Sequence, residues 1–340
     1  MDGRIIFLQE DVFSEVNIVT GHLKVSVLIP TMNRCRSLDI TLKHLAMGAV
    51  KPYEIIIVDQ SIRESADKNR NIIQKYYKEP IHYKYIYLNR PSLTAARNIA
   101  IAEATGDILC FSDDDVEVYP LTLKCIVDLM EKDPQIALIG GLDDNAPQSK
   151  SKIGYLFGTK SWKNRKIGHM TLSILGRYPA HVTGEVSTQW AMGYFFCVRK
   201  KYLDTFKTDG EALRFDELLT GYAYAEDLDF TYRYYKQADR LGLKCILSDQ
   251  VRVKHLVDQE YRIPNRKAVF KYICNRAYLA HKFGKGTNKE LLYRIAMSWT
   301  NFWIYIFHII RHDNAKDYHD AIKWLRSHRK EVYRGYIKYD

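Results

Sequence analysis

The 340-residue sequence has no Cys-x-x-Cys pair, and its six cysteines, Cys35, Cys110, Cys125, Cys197, Cys245 and Cys274, are scattered, several inside apolar runs. That spacing excludes a zinc ribbon or disulfide framework and predicts reduced, buried thiols in a cytosolic setting. Met1 to Glu10 lacks the basic start, long apolar core and small-residue cleavage site of a secretory leader, so secretion is not expected. Neither Gly-x-Gly-x-x-Gly nor the Gly-x-x-x-x-Gly-Lys-Ser/Thr loop occurs, so a bound nucleotide must be held by side chains and a metal. A net charge of +11 draws phosphates, anionic lipid or acidic substrates. The basic residues are dispersed and no RNA- or DNA-binding motif accompanies them, so no nucleic-acid partner is expected. The apolar run Ile295 to Ile310 contains no Asp, Glu, Lys or Arg but falls short of the roughly 20 residues that span a bilayer. It fits an interfacial helix beside the basic tail of Lys323, Arg326, Arg329, Lys330, Arg334 and Lys338, or a helix buried against the rest of the chain.

What is present is an alternation of strands and helices. Val25 to Pro30 and Glu54 to Asp59 are short β-branched runs of the kind that form buried parallel strands. Further strands are expected at Tyr83 to Leu88, Asp107 to Ser112 and Ile136 to Gly140. Helices are expected at Ser37 to Met47, from after Asp59 to about Lys78, at Ser92 to Ala104 and at Leu121 to Glu131. This order predicts a doubly wound α/β sheet with right-handed crossovers. From Leu142 to Thr188 the periodicity fails, which predicts a long, partly mobile connection carrying part of the site. Order resumes with a strand at Trp190 to Arg199, Gly193 in its middle, then a helix at Ala225 to Leu241, short strands at Cys245 to Leu247 and Val251 to Val253, and helices alone after Pro264. The expected division is an extension at 1–22, an α/β domain at 23–258 with halves near 23–141 and 142–258, and a helical region at 259–340.

Chemistry concentrates where strands end. Ser112-Asp-Asp-Asp115 follows an apolar run, so its carboxylates face the crevice at the carboxyl edge of the sheet. Mg²⁺ or Mn²⁺ suits one or two such carboxylates together with phosphate, and Asp113 and Asp115 are the candidate pair. A solvated acidic turn before a helix is the plainer alternative. Thr31 and Asn33 end the first strand at the same edge, and Asp59 ends the second, placed for a base N–H, a ribose hydroxyl or an ordinary turn. Glu226 and Asp227 stand near a helix N-terminus, where the dipole favours an ionised carboxylate able to accept a proton. Trp190, Tyr194, Phe195, Tyr222 and Tyr224 suit stacking on a sugar or lipid, or core packing.

Val25 to Arg34, Ile55 to Ser61, Ser92 to Asn98, Gly106-Asp107, Ser112 to Val116 and Ala225 to Arg233, in that order, resemble the family 2 glycosyltransferases over about residues 24 to 255. The resemblance implies a GT-A fold, Rossmann-like with a mostly parallel sheet flanked by helices, here with a C-terminal helical extension. It implies that Pro30, Thr31, Asn33 and Arg34 line a nucleotide pocket, that Asp59 contacts the base and that Arg97 lies near the base or diphosphate. Asp113 and Asp115 become a DxD-type motif holding Mn²⁺ or Mg²⁺, with Asp114 nearer the ribose or donor sugar and His255 a further metal ligand. Gly193, Glu226, Trp190 and Tyr194 fall at the acceptor or donor sugar, and Asp227 is the catalytic base of an inverting transfer.

The expected function is metal-dependent transfer of a sugar from a nucleotide-sugar donor to a glycan or lipid-linked acceptor, in polysaccharide or cell-envelope synthesis. A cytoplasmic location is expected, at the membrane's cytoplasmic face if residues 295–338 touch lipid. The alternatives are an inactive, membrane-recruited scaffold, against which both acidic sites stand, and a sugar nucleotidyltransferase, whose Gly-rich basic loop is replaced here by Pro-Thr-Met-Asn-Arg.

Overall fold

The computed structural model describes residues 5–7, 23–76, 80–146, 153–208, 210–221, 223–257 and 264–337. The elements run β1 (Ile5–Phe7), β2 (Val25–Thr31), α1 (Cys35–Met47), β3 (Glu54–Asp59), α2 (Arg63–Tyr76), β4 (His82–Tyr87), α3 (Leu93–Glu103), β5 (Ile108–Ser112), β6 (Val116–Val118), α4 (Thr122–Lys132) and β7 (Ile136–Asp143). Then come α5 (Ile153–Leu156), β8 (His169–Met170), β9 (Gly176–Arg177), β10 (Glu185–Ser187), β11 (Phe195–Arg199), α6 (Lys201–Thr205), β12 (Lys207–Thr208) and β13 (Glu211–Ala212). The chain closes with α7 (Glu226–Arg240), β14 (Lys244–His255), α8 (Asn265–Gly284), α9 (Lys289–Ile310), α10 (Ala315–Ser327) and α11 (Arg329–Tyr333).

One sheet organises the molecule in the order β1-β4-β3-β2-β5-β11-β7-β14-β10, with β6 also paired to β14. β4, β3, β2 and β5 are mutually parallel, as are β7 and β14. β11 runs against both of its neighbours, β5 and β7. Side-chain alternation splits the parallel strands between two layers. Val25, Val27, Ile29, Ile55 and Ile57 pack with Leu38 and Leu42 of α1 and Ile126 of α4. Leu28, Ile56, Val58, Leu109 and Phe111 pack on the other side with Ala96 and Ala100 of α3 and Phe230 and Tyr234 of α7. A third cluster joins α8 to the β8–β9 hairpin and to the start of α7.

Three expectations need correction. The strand expected from Trp190 begins only at Phe195, so Gly193 precedes it. The two short strands expected between Cys245 and Val253 are one, β14, with an irregular register between Leu247 and Arg252. The stretch 142–188 contains a 3₁₀ turn at Trp162–Arg165, the β8–β9 hairpin and β10, which pairs with β14 at the sheet edge. These pieces have two to four residues each, too short to show a period in sequence. The expected boundary residue Asp258 and Tyr222 lie outside the described residues.

Candidate active site

At the end of β5 the chain turns through its three acids, and neighbouring elements pin that turn. The Asp113 N–H donates to Tyr194 O at 2.9 Å, while the Thr41 hydroxyl on α1 donates to Asp114 O at 2.8 Å and accepts from the Val116 N–H at 3.0 Å. The three side chains diverge. Asp114 turns inward, accepting from the Thr31 hydroxyl at 2.7 Å and Arg34 at 2.8 Å. Burial pushes its pKa up to about 7, against the pull of Arg34. Asp115 is buried and lies 3.4 Å from Arg34 and 3.1 Å from His255 Nε2. Asp113 keeps 31% of its side chain exposed and meets Arg97 at 2.9 Å.

His255 closes β14 at the same edge. Its backbone N–H donates to Asp143 at 2.9 Å, and its ring stacks on Tyr194 with centroids 5.3 Å apart. Burial works against a charged ring, but the hydrogen bond and charge of Asp115 leave its pKa above the ordinary histidine value. Ligand atoms of Asp113, Asp115 and His255 lie within 4.8 Å of one another. Two carboxylates and an imidazole suit a divalent cation such as Mn²⁺ or Mg²⁺.

Arg97, on α3, is buried to 1% exposure and donates to Glu226 at 2.7 Å, Asp113 at 2.9 Å and the Gly193 carbonyl at 3.0 Å. It is therefore an internal brace between the acidic turn and the start of α7. That start is set by an unusual corner, because Ala225 holds φ +68, a left-handed conformation that costs a residue with a Cβ on the order of 1 kcal/mol. Asn275 on α8 donates to Tyr224 O at 2.9 Å and holds the corner from outside.

Asp227 follows, half-buried, accepting from the Gly193 N–H and the Leu228 N–H, each at 2.7 Å. Burial raises its pKa, opposed by those N–H groups and by Arg97. Burial and then Asp227 push Glu226 up to about 8, with Arg97 opposing. A Cβ at Gly193 would sit 3.1 Å from the Asp227 Cβ and 3.2 Å from Glu226 Oε1, so only glycine fits without displacing the acids.

On the opposite wall, Asn33 holds φ 57, donates its N–H to Ser61 Oγ at 2.7 Å and accepts the Ile62 N–H at 2.9 Å. Asp59 is fully buried, taking the Ser61 N–H, Asn69 and Tyr85, each at 2.8 Å. Pro30 is buried within β2, opposite Val58. Trp190 and Phe195 are buried, with the Trp190 ring filling the space against Gly176, so core packing is their role here. Tyr194 is also buried, and its hydroxyl donates to Gly141 O at 3.0 Å. Tyr224 is half-buried and meets Tyr272 edge-on with centroids 5.1 Å apart.

Sequence reasoning missed Thr41, Asp143 and Asn275. Each acts across the fold on a residue far away in the chain, and none stands in a recognisable local pattern.

The family model for glycosyl transferase family 2 matches residues 26–200, over half of the chain. The chain belongs to glycosyl transferase family 2. Among curated proteins it is 30% identical over 125 residues to a chondroitin synthase of Pasteurella multocida, covering 36% of this chain and 12% of that protein. It is 31% identical over 107 residues to the GalNAc(5)-diNAcBac-PP-undecaprenol beta-1,3-glucosyltransferase of Campylobacter jejuni, covering 31% of this chain and 33% of the relative. It is 26% identical over 227 residues to the amylovoran biosynthesis glycosyltransferase AmsB of Erwinia amylovora, covering 66% of this chain and 67% of that one. The first relatives are thus matched over a third of their length or less.

Among solved structures, the mannosyltransferase PcManGT from Pyrobaculum calidifontis in complex with GDP-Man and Mn²⁺ superposes with a TM-score of 0.52 at 13% identity, covering 91% of this chain and 76% of that one. GalNAc-T7 with UDP, GalNAc and Mn²⁺ superposes with a TM-score of 0.54 at 17% identity, covering 86% and 59%. The fold of the chain is GT-A, with helices added at the C-terminus.

Proposed function

We propose that this glycosyltransferase is metal-dependent and inverting, and moves a hexosyl or related group from a nucleoside diphosphate sugar to a glycan or lipid-linked acceptor. The setting is polysaccharide or cell-surface glycan synthesis at the cytoplasmic face of a membrane. One observation carries the reading: a half-buried carboxylate, Asp227, is fixed by two backbone N–H groups and tied through Glu226 and Arg97 to the acid turn. The names of the relatives, a chondroitin synthase and an undecaprenol-linked glucosyltransferase, support the acceptor class.

Asp227 would accept the proton of the acceptor hydroxyl as that oxygen bonds to the anomeric carbon and the bond from carbon to diphosphate oxygen breaks. Its burial raises its basicity above that of a surface aspartate, while the two N–H groups keep the ionised form accessible. The missing Cβ at Gly193 lets its backbone N–H come close enough to hold Asp227. Asp113, Asp115 and His255 would hold Mn²⁺ or Mg²⁺, which when bound supplies Lewis-acid charge for the leaving diphosphate. Asn33 and Arg34 would form the nucleotide wall, with Pro30, Thr31 and Asp59 buried behind it, while Asp114 orients Thr31 and Arg34.

The test is Asp227→Asn. Turnover should fall by about 10²–10⁴-fold, the usual worth of a general base, while nucleotide binding by calorimetry is unchanged. Turnover that survives the substitution would remove Asp227 from the chemistry.

A further inference from the structure

We propose that the outer face of α9, together with residues 153–166, is a docking surface for an anionic lipid bilayer. Delivery of a lipid-linked acceptor through this face rests on the transfer proposed above, but docking itself does not.

On α9 the buried residues are Tyr293, Met297, Thr300 and Asn301. The face turned away from them is also apolar, where a water-facing helix side carries charge. Leu291, Ile295, Trp299, Phe302 and Ile309 recur every three to seven residues along it, each more than a third exposed. A separate segment extends this surface. Trp299 Nε1 donates to Leu156 O at 3.0 Å and Thr300 Oγ1 to Phe157 O at 3.0 Å, so α5 and its following turn are fastened to α9. Fastened there, Ile153, Leu156 and Trp162 are exposed as well, Leu156 to 69%.

The charge around this surface selects the occupant. Residues 153–184 contain no Asp or Glu, but carry Lys160, Lys163, Arg165 and Lys166. The Arg165 guanidinium lies 4.1 Å over the Trp162 ring. On the other side, a groove between α9 and α10 brings Lys323 and Arg326 beside Phe302, Tyr305 and Ile322. Exposed aromatic and aliphatic side chains flanked by lysine and arginine are what a helix lying in a headgroup layer presents. In a two-fold contact the same patch meets itself, which here would set basic groups against basic groups. Among the described residues no helix is long and apolar enough to cross a membrane, so the contact is with the surface.

Co-sedimentation of the full chain with phosphatidylglycerol/phosphatidylcholine vesicles, and with phosphatidylcholine alone, tests this. Wild type should partition onto the anionic vesicles. Trp299→Glu/Phe302→Glu should abolish binding, and Lys323→Glu/Arg326→Glu, on exposed sites that cannot disturb the core, should weaken it about tenfold or more. Wild type remaining in solution with anionic vesicles, or charge reversal without effect, would overturn the proposal. So would a dimer in analytical ultracentrifugation that Trp299→Glu/Phe302→Glu dissolves, since the face would then bind a second copy. Asp227→Asn should bind vesicles as wild type does, which separates failure of docking from failure of the transfer reading.

Discussion

The β/α half from β2 to β5 and the helices from α8 onward both bury matched charge, Arg276 of α8 bonding Ser173 O and Asn301, but they differ in how their apolar groups are covered. In the first, charged groups are taken inside and matched. Glu54 accepts from Ser26 and Thr105 and pairs with Lys84, Asp59 takes three donors, and Arg97 is enclosed by acceptors. In the second, apolar groups are left outside, with Ile295 and Ile310 about as exposed as surface lysines. The first half is complete on its own terms and is suited to hold a fixed geometry. The second has apolar surface whose hydration is unfavourable until something covers it.

The contrast can be broken most severely at Arg97. Arg97→Met leaves Glu226 and the inner edge of Asp113 without their shared cation, and should cost about 3–5 kcal/mol of stability in chemical denaturation. A loss below about 1 kcal/mol would mean that the ion cluster is not what braces this half. The metal comes next. Mn²⁺ at a hundredfold excess over its dissociation constant should stabilise wild type by about 2.7 kcal/mol, and Asp115→Ala or EDTA should erase that gain in a thermal melt. Persistence of the gain in Asp115→Ala would place the ion elsewhere.

Asn275→Ala joins the two halves in one experiment, because it releases the Tyr224 carbonyl that α8 holds. It should cost about 1 kcal/mol and lower turnover without changing nucleotide affinity; weakened nucleotide binding would show that the C-terminal helices support the whole site. The smallest effect is expected on the outer face. Ile295→Ser should change stability by no more than about 0.5 kcal/mol, and a larger loss by the same denaturation assay would mean the residue is covered in solution.

The same contrast explains what could be read in advance. β2, β3 and β5 are buried on both faces, so their sequences are largely apolar runs, and the acids at the ends of β3 and β5 mark the crevice. The direction of β11 was hidden, because an antiparallel strand buried among parallel ones has the same apolar sequence as its neighbours. Its reversal is why Gly193 and Tyr194, which precede the strand, meet Asp113 and Asp227 at the carboxyl end of β5. Arg97 was legible as a site residue but not as a brace, since its acceptors come from three distant segments. The run Ile295 to Ile310 was visible as apolar. Which of its faces is covered was decided by α8 and by residues 156–158, and no periodicity within the run encodes that.

β7 and β11 are sheet neighbours, with Gly140 opposite Phe196. The chain therefore leaves the sheet after Asp143 and re-enters it at Phe195 at neighbouring points, returning to it on the way as the edge strand β10. An excursion anchored in this way can change length cheaply, since each doubling of a flexible loop costs only about 0.6 kcal/mol. The strands that carry the acid turn are untouched by such a change. That makes the part of the excursion before β10 the natural place for a change of length, since Gly193 and Tyr194 at its far end hold Asp227 and Asp113 and have to be kept.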